Sequence, residues 1–490
     1  VAGTIAGKRS QDGIEDQVGY ADGIAKDSKL AFFDIGLGSD CCFPPNPDVL
    51  FSTGYSAGAR IHNGSWGAAQ QSKYTKYSTK VDSFLYDNDD FIAVFAAGND
   101  GAGDSTKSID TPGTAKNVIA VGASQSSGRD LYQNMLGENY LMEVSSRGPT
   151  VDGRIKPDIV APGYLLSAKG DQNEIGECDP PSSLTQLPHV YSSTDQHYGI
   201  RYMAGTSVSA AVISGSLALL RQYFVDGWWP SGSAIVSDSF DPSSALLKAV
   251  LINSAQSLDG IQLMNGTTYA VADYDTNIGF GRMNLNKSLP VKGKNELKAA
   301  LFDRQVINDS EEHHYDYTIS SGDCHLYEFS ATLVWVDPPA SSGCLKCLLN
   351  DLDLTITSES GETYFANGMN SPDGTNNVER IRTSAFKGEK FTLDVGASNL
   401  STQNQTYALV ITDDCSETLS SVARTSMIPS MVPSMVPSIA PSMAPSMAPS
   451  IIVTSNHTTT SPTTKKIKNQ TKKKRKKRKK KIKQKIRRRK

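Results

Sequence analysis

Ser207 is the residue of this chain best placed for covalent chemistry. It stands in Gly205-Thr206-Ser207-Val208-Ser209-Ala210-Ala211, ahead of an apolar helical stretch through Val212, Ile213, Leu217, Leu219 and Leu220. Its hydroxyl would lie at a helix N-terminus, where unpaired N–H groups and the macrodipole favour developing negative charge. Gly205 removes a Cβ from the approach and lets a carbonyl come close. A Gly-Thr-Ser ahead of a helix is by itself an ordinary cap, so other segments decide the assignment. Residues 91–101 read as a buried strand ending in the turn Ala96-Ala97-Gly98-Asn99, and ligands of open parallel sheets bind at such strand ends. Asn99 can there donate its side-chain amide to an oxyanion. Residues 60–67 predict a second short strand with small residues near its end, and residues 117–123 a third.

The ordered set of these segments, with Ser146-Arg147-Gly148-Pro149 and Lys156-Pro157-Asp158-Ile159-Val160-Ala161-Pro162-Gly163 ahead of the Gly-Thr-Ser helix, resembles the subtilisin-like serine peptidases over residues 1–290. The resemblance implies that Ser207 attacks the scissile carbonyl, with Asn99 and the Ser207 N–H as oxyanion donors. It implies that Ser65-Trp66-Gly67 pairs with an extended substrate backbone, so that main-chain hydrogen bonds supply affinity. Ala96, Ala97 and Gly98 then form one wall of the pocket for the side chain before the cut, small enough to leave room for a large apolar or aromatic group. In the family the string Val1-Ala2-Gly3-Thr4 follows directly after the catalytic histidine, and the aspartate lies further upstream. None of His62, His189, His197, His313, His314, His325 and His457 stands in that setting. The expectation is a chain truncated at its N-terminus and inactive as it stands, since without the base only about 10³–10⁴-fold catalysis over water remains. Ser209 and Ala211 replace the family's usual Ala and Pro with other small residues, and Val208 replaces a methionine of many relatives. Gly54-Tyr55-Ser56-Ala57-Gly58 matches the nucleophile elbow of α/β-hydrolases. Only Ala59 separates it from the strand that begins at Arg60, which leaves no room for the helix the elbow needs.

The elements that position these residues alternate strand and helix. Residues 48–59 predict a helix, 29–36 a strand, and Asp241-Pro242-Ser243-Ser244 a helix start with Asp241 as cap and proline at the first position. The expected fold class is α/β, a doubly wound parallel sheet over residues 1–290, with residues 164–202 an irregular insertion beside the cleft. Residues 297–415 lack a helical period and predict an all-β sandwich. Leu349-Asn350-Asp351-Leu352-Asp353-Leu354, with Asn376-Asn377-Val378-Glu379, resembles the C-terminal β-domain of certain alkaline subtilisin relatives, in which acidic residues around this turn bind calcium. Alternation puts Asp351 and Asp353 on one strand face, as calcium ligands or as a solvated polar edge.

Beyond Ser426 the sequence carries no pattern that buries a core. Proline recurs every fourth residue from Pro429 to Pro449, which predicts an extended stalk over residues 426–464. Residues 465–490 hold 19 Lys or Arg and no acid, leaving 30 of the 49 basic residues against all 51 acidic ones in the remainder. Such a disordered tail suits contact with a polyanion, although it has no aromatic residues to stack on bases. Of seven cysteines, Cys324, Cys344, Cys347 and Cys415 fall in the β region, as two disulfides in one of three pairings or as a zinc set. Eight Asn-x-Ser/Thr sequons, among them Asn63, point to the secretory pathway or the extracellular space. No apolar run predicts a transmembrane segment. The sequence reads as a secreted serine endopeptidase acting on protein or peptide substrates. The rival readings are a non-catalytic groove-binding protein and a polyanion-binding anchor.

Overall fold

The strand Ile92–Ala96 is buried along its whole length because both of its faces are covered. Ile92, Val94 and Ala96 pack with Ala210 and Ile213 of the helix Thr206–Val225 and with Leu246 and Val250 of the helix Ser244–Asn253. Phe91, Ala93 and Phe95 pack with Leu50 and Phe51 of the helix Pro47–Ser56 and with Val81 and Leu85 of the helix Lys76–Asp87. Successive side chains of a strand point to opposite faces, so a strand covered twice must read as a continuous apolar run. The computed structural model describes residues 1–7, 10–11, 14–15, 22–33, 35, 46–102, 105–127, 134–168, 200–320, 322 and 324–415. Most of the expected insertion (169–199), the stalk (426–464) and the basic tail (465–490) lie outside the described residues, as do Cys41, Cys42, Cys178, His189, His197 and His457.

Ile92–Ala96 pairs in parallel with Ile61–Gly64 on one side and Ile119–Ser124 on the other, and the latter pairs in parallel with Ile159–Pro162. Tyr140–Met142, Gly260–Gln262 and Thr268–Tyr269 complete a seven-stranded sheet whose far edge is mixed in direction. Residues 29–33, expected as a strand, form none, and Phe32 is left 84 % exposed. Thr206–Val225 is apolar around most of its circumference because it packs against four strands of the large sheet, the helix Ser244–Asn253 and the short helix Ala2–Ala6. By length and composition it could cross a membrane, yet 72 % of it is buried inside the protein. Lys76–Asp87 starts on a reciprocal cap between Thr75 and Ser78. Ser244–Asn253 is capped by Ser243 and not by Asp241: Ser243 Oγ accepts from the Leu246 N–H at 2.9 Å, and Asp303 holds the Ser243 N–H at 3.0 Å.

Residues 298–415 form two four-stranded antiparallel sheets. One runs in the order Lys298–Asn308, Asn404–Cys415, Tyr327–Trp335, Val378–Ala385, the other Glu312–Thr318, Lys390–Asn399, Asp351–Ser358, Thr363–Phe365. Alternation decides what each residue meets. Tyr327, Phe329, Ala331, Leu333 and Trp335 enter the core shared by the two sheets, while Ser330 and Thr332 turn to the helix Ser244–Asn253 and donate to Asn253 Oδ1 at 2.9 and 2.8 Å. The four cysteines of this region form the disulfides Cys324–Cys415 and Cys344–Cys347.

Candidate active site

The helix Thr206–Val225 begins where the strand Ile92–Ala96 has just ended, and the two meet through Asn99. Asn99 Oδ1 accepts from the Thr206 N–H at 3.0 Å and lies 3.1 Å from Thr206 Oγ1. The Gly98 N–H donates to that same hydroxyl at 3.3 Å. Asn99 thus sits one residue from Ser207 with its carbonyl oxygen committed to the helix start, which leaves the amide NH₂ as the group it presents outward. Gly205, at φ 108°, makes this approach possible: a Cβ there would stand 2.9 Å from Asn99 Oδ1. Ser207 is half-buried and Asn99 exposed. The N–H of Ser207 is one of the first-turn donors that a helix cannot pair internally.

Ser207 is also tied to the segment after the strand Ile61–Gly64. Ser65 Oγ donates to the Ser207 carbonyl at 2.7 Å, and Ser207 Oγ donates to the Ser65 carbonyl at 3.2 Å. Asn63 joins this contact to the long helix, its amide donating to Ser65 Oγ and its carbonyl accepting from Ser214, both at 2.9 Å. An asparagine so engaged is a poor glycan acceptor, although it sits in a sequon. Sequence reasoning singled out Ser65, Asn99 and Ser207 and missed Asn63 and Ser214, whose signal is a register match between strand and helix. Among the described residues no histidine hydrogen-bonds to Ser207. His62 lies on the same strand, but its ring is packed between Phe51 and Phe95. Its Nε2 is buried with no hydrogen-bond partner, and burial pushes the imidazole down to about 4.

The other expected substrate-binding residues divide by what they offer. Trp66 packs edge-on against Tyr77 and Phe95, so its indole anchors the segment. Ala96 and Ala97 are buried, and the Ala96 side chain belongs to the core beneath the long helix. Any contribution of these two to a ligand is therefore main-chain. Gly67 and Gly98 flank a residue that sequence reasoning did not consider, Asp110, whose N–H donates to the Ala97 carbonyl at 2.8 Å.

Beneath the sheet, Asp158 receives Lys156 Nζ at 2.5 Å, Lys248 Nζ at 2.9 Å and the Ala120 N–H at 2.7 Å, all buried. Burial alone would raise this carboxyl, but the two lysines hold it below its ordinary value. The Lys156-Pro157-Asp158 part of the sequence signature is thus a packing device of the sheet.

Among residues 298–415, Asp351 and Asp353 do come close, with Asp373 and the fully buried Glu379. A β-bulge separates Asp351 from Leu352, so simple alternation does not place the pair. Burial, then Asp353, raises Asp351 to about 6; burial with the nearby aspartates raises Glu379 well above its usual range. Asp351 Oδ1, Asp353 Oδ1 and Glu379 Oε1 are buried and have no hydrogen-bond partner. Oxygen atoms in that condition fit a hard divalent cation. A second group, exposed Glu312 and His314 with half-buried Asp394, has ligand atoms within 4.8 Å of one another.

The family model of the subtilases matches residues 1–281, and the chain belongs to the subtilase family, whose α/β fold is the sheet and helices described above. The serine protease/ABC transporter B family protein tagB of Dictyostelium discoideum is 28 % identical over 499 residues, covering 79 % of this chain and 25 % of its own length. The corresponding tagD protein of that organism is 29 % identical over 499 residues, covering 78 % and 26 %. The chain therefore spans about a quarter of the length of these curated relatives. Among solved structures, the serine protease of Aeromonas sobria is 15 % identical with a TM-score of 0.39, covering 80 % of this chain and 78 % of that one.

Proposed function

We propose that this chain carries the nucleophile and oxyanion half of a secreted serine endopeptidase. What supports the reading most is the meeting of Asn99 with the residue that precedes Ser207. Ser207 Oγ adds to the scissile carbonyl carbon, and the oxygen that becomes negative is met by the Asn99 amide and the Ser207 N–H. A base must take the hydroxyl proton and return it to the departing amine; the family resemblance gives this task to a histidine oriented by an aspartate. Water then hydrolyses the ester on Ser207. Ser65–Gly67 holds the substrate backbone, with Gly98 across from it.

Residues 1–290 form the peptidase part and 297–415 a β-sandwich, and the basic residues of 465–490 suit contact with a polyanion. Asp351 and Asp353, with Asp373 and Glu379, would hold calcium, which would neutralise these buried carboxylates. The direct test is a fluorophosphonate probe applied to the chain in its longest natural form. Labelling at Ser207 that is lost in Ser207→Ala supports the peptidase. An unlabelled Ser207 in a protein that still binds peptides favours the non-catalytic groove.

A further inference from the structure

Among the described residues within 1–290, Asp110 is the one acidic side chain whose buried oxygen is unmet. Asp82 accepts from Tyr74 and from the N–H groups of Lys116 and Asn117; Asp152 is paired with Arg154, and Asp158 with Lys156 and Lys248. Asp110 Oδ1, by contrast, is buried with no hydrogen-bond partner. The charge acting on it is that of Asp100, which has the same sign, and burial with this neighbour raises the carboxyl to about 6. Among the described part of residues 1–290 the other buried carboxylates named above are paired and this one is open, so it is left for something else.

Its position says what that is. The Asp110 N–H donates to the Ala97 carbonyl at 2.8 Å, and Thr111 exchanges two main-chain hydrogen bonds with Ala68. The carboxylate is thereby fixed between the segment Ser65–Trp66–Gly67 and the turn Gly98–Asn99, the two pieces of chain that touch Ser207 and Thr206. Both flanks are glycine. A Cβ on Gly98 would lie 2.8 Å from Asp110 Oδ2, and one on Gly67 would lie 3.1 Å from the same atom. Glycine at both positions is what lets the two segments close on Asp110, since a Cβ at either would run into its side chain.

We infer that Asp110 is the specificity-determining residue of the subsite for the substrate side chain immediately before the cut, and that this side chain is lysine or arginine. The inference rests on Ser207 being the nucleophile. It replaces the apolar or aromatic preference that Ala96, Ala97 and Gly98 suggest by size alone. A guanidinium or ammonium group entering between the two segments supplies both the donor and the charge that Asp110 lacks, and Arg matches a carboxylate fork to fork.

The test separates binding from turnover. Acetyl-Ala-Ala-Pro-X amides with X as Arg, Lys, Phe or Leu are titrated calorimetrically into the full chain and into Asp110→Asn, and the matching coumarin amides are assayed for cleavage. The expected result is tighter binding of Arg and Lys by about 10- to 100-fold, lost in Asp110→Asn while Phe and Leu bind as before. Equal or tighter binding of Phe or Leu, a preference unchanged in Asp110→Asn, or no binding of any peptide overturns the inference. Selective binding without cleavage of any coumarin amide supports the Asp110 subsite and counts against the hydrolytic reading of this chain alone.

Discussion

The Asn99 side chain is used twice, and its two ends lead to separable expectations. Its carbonyl oxygen caps the start of the helix Thr206–Val225 by accepting the Thr206 N–H, and its NH₂ group is the oxyanion donor proposed above. Asn99→Ala in the active, longest form should lower kcat by about 10²–10³, the loss known for the corresponding donor in a subtilisin, with KM little changed. The lost cap should cost about 1 kcal/mol of stability. Measuring kcat, KM and the melting temperature on one preparation distinguishes the two, and a full kcat with a lowered melting temperature would leave Asn99 a cap only. Ser209 shows the reverse situation, a hydroxyl buried with no partner where an alanine would serve. His62 gives a pH signature. Its folded pKa of about 4 lies below the ordinary 6.5, so between these values the unfolded chain takes up a proton that the folded one refuses. Stability from this group is complete above about pH 6.5 and falls by about 3 kcal/mol as pH drops to about 4. Denaturant titrations at pH 7.5 and 4.5 should show His62→Leu losing less stability than the parent by roughly that amount, and equal losses in the two proteins would refute it.

At the scale of elements, what the sequence discloses follows from how local its cause is. The strand Ile92–Ala96 was readable because a twice-covered strand needs an unbroken apolar run, and the Ser207 helix because its small residues and apolar stretch are contiguous. The cap of Ser244–Asn253 was not, because Ser243 is selected by Asp303 from a strand 60 residues later. Asp110 escaped for the same reason: its meaning lies in the two glycines that flank it, Gly67 and Gly98, and these come from two different segments. The acidic site was half legible. Asp351 and Asp353 are neighbours in one strand, but Glu379 reaches them from the strand Val378–Ala385, where its Oε2 accepts the Leu354 N–H at 2.5 Å. Four carboxylates converge here from three segments, and the calcium site proposed above predicts a response to the ion. Binding at a hundredfold excess over Kd adds about 2.7 kcal/mol, so melting temperature should rise with calcium and fall in a chelator. Glu379→Gln removes a buried acid that must otherwise be protonated or neutralised; it should melt higher than the parent in chelator and respond less to calcium. Identical melting of both proteins with and without calcium would exclude the site.

At the scale of the whole molecule, the boundary near residue 290 is a seam of packing and buried polar contacts. Val334, Val378, Ala408 and Val410 of the C-terminal sheets lie in the same core as Leu246, Val250 and the strands of the large sheet. Arg380 is fully buried and donates to the carbonyls of Asn253, Ala255 and Phe280 at 2.9, 3.0 and 3.2 Å. Asn253 also donates to Thr412 at 2.7 Å, and Asn117 exchanges two 2.9 Å hydrogen bonds with the Asp337 backbone. Buried Lys116 is paired with Asp337 across the same seam. Cutting the chain at 290 strips the apolar cover from the helix Ser244–Asn253 and removes every partner of the Lys116 ammonium and the guanidinium that pairs the three carbonyls, so a large apolar face is opened to water. A folded domain has only about 5–15 kcal/mol to lose. A chain ending at residue 290 should therefore be aggregated or bind a hydrophobic dye without a cooperative melt, whereas one ending at residue 423 should melt as the full chain does. Cooperative unfolding of the shorter piece at the parent's melting temperature would mean that the C-terminal sheets are an attachment and that the seam contributes nothing to holding Ser207 and Asn99 in place.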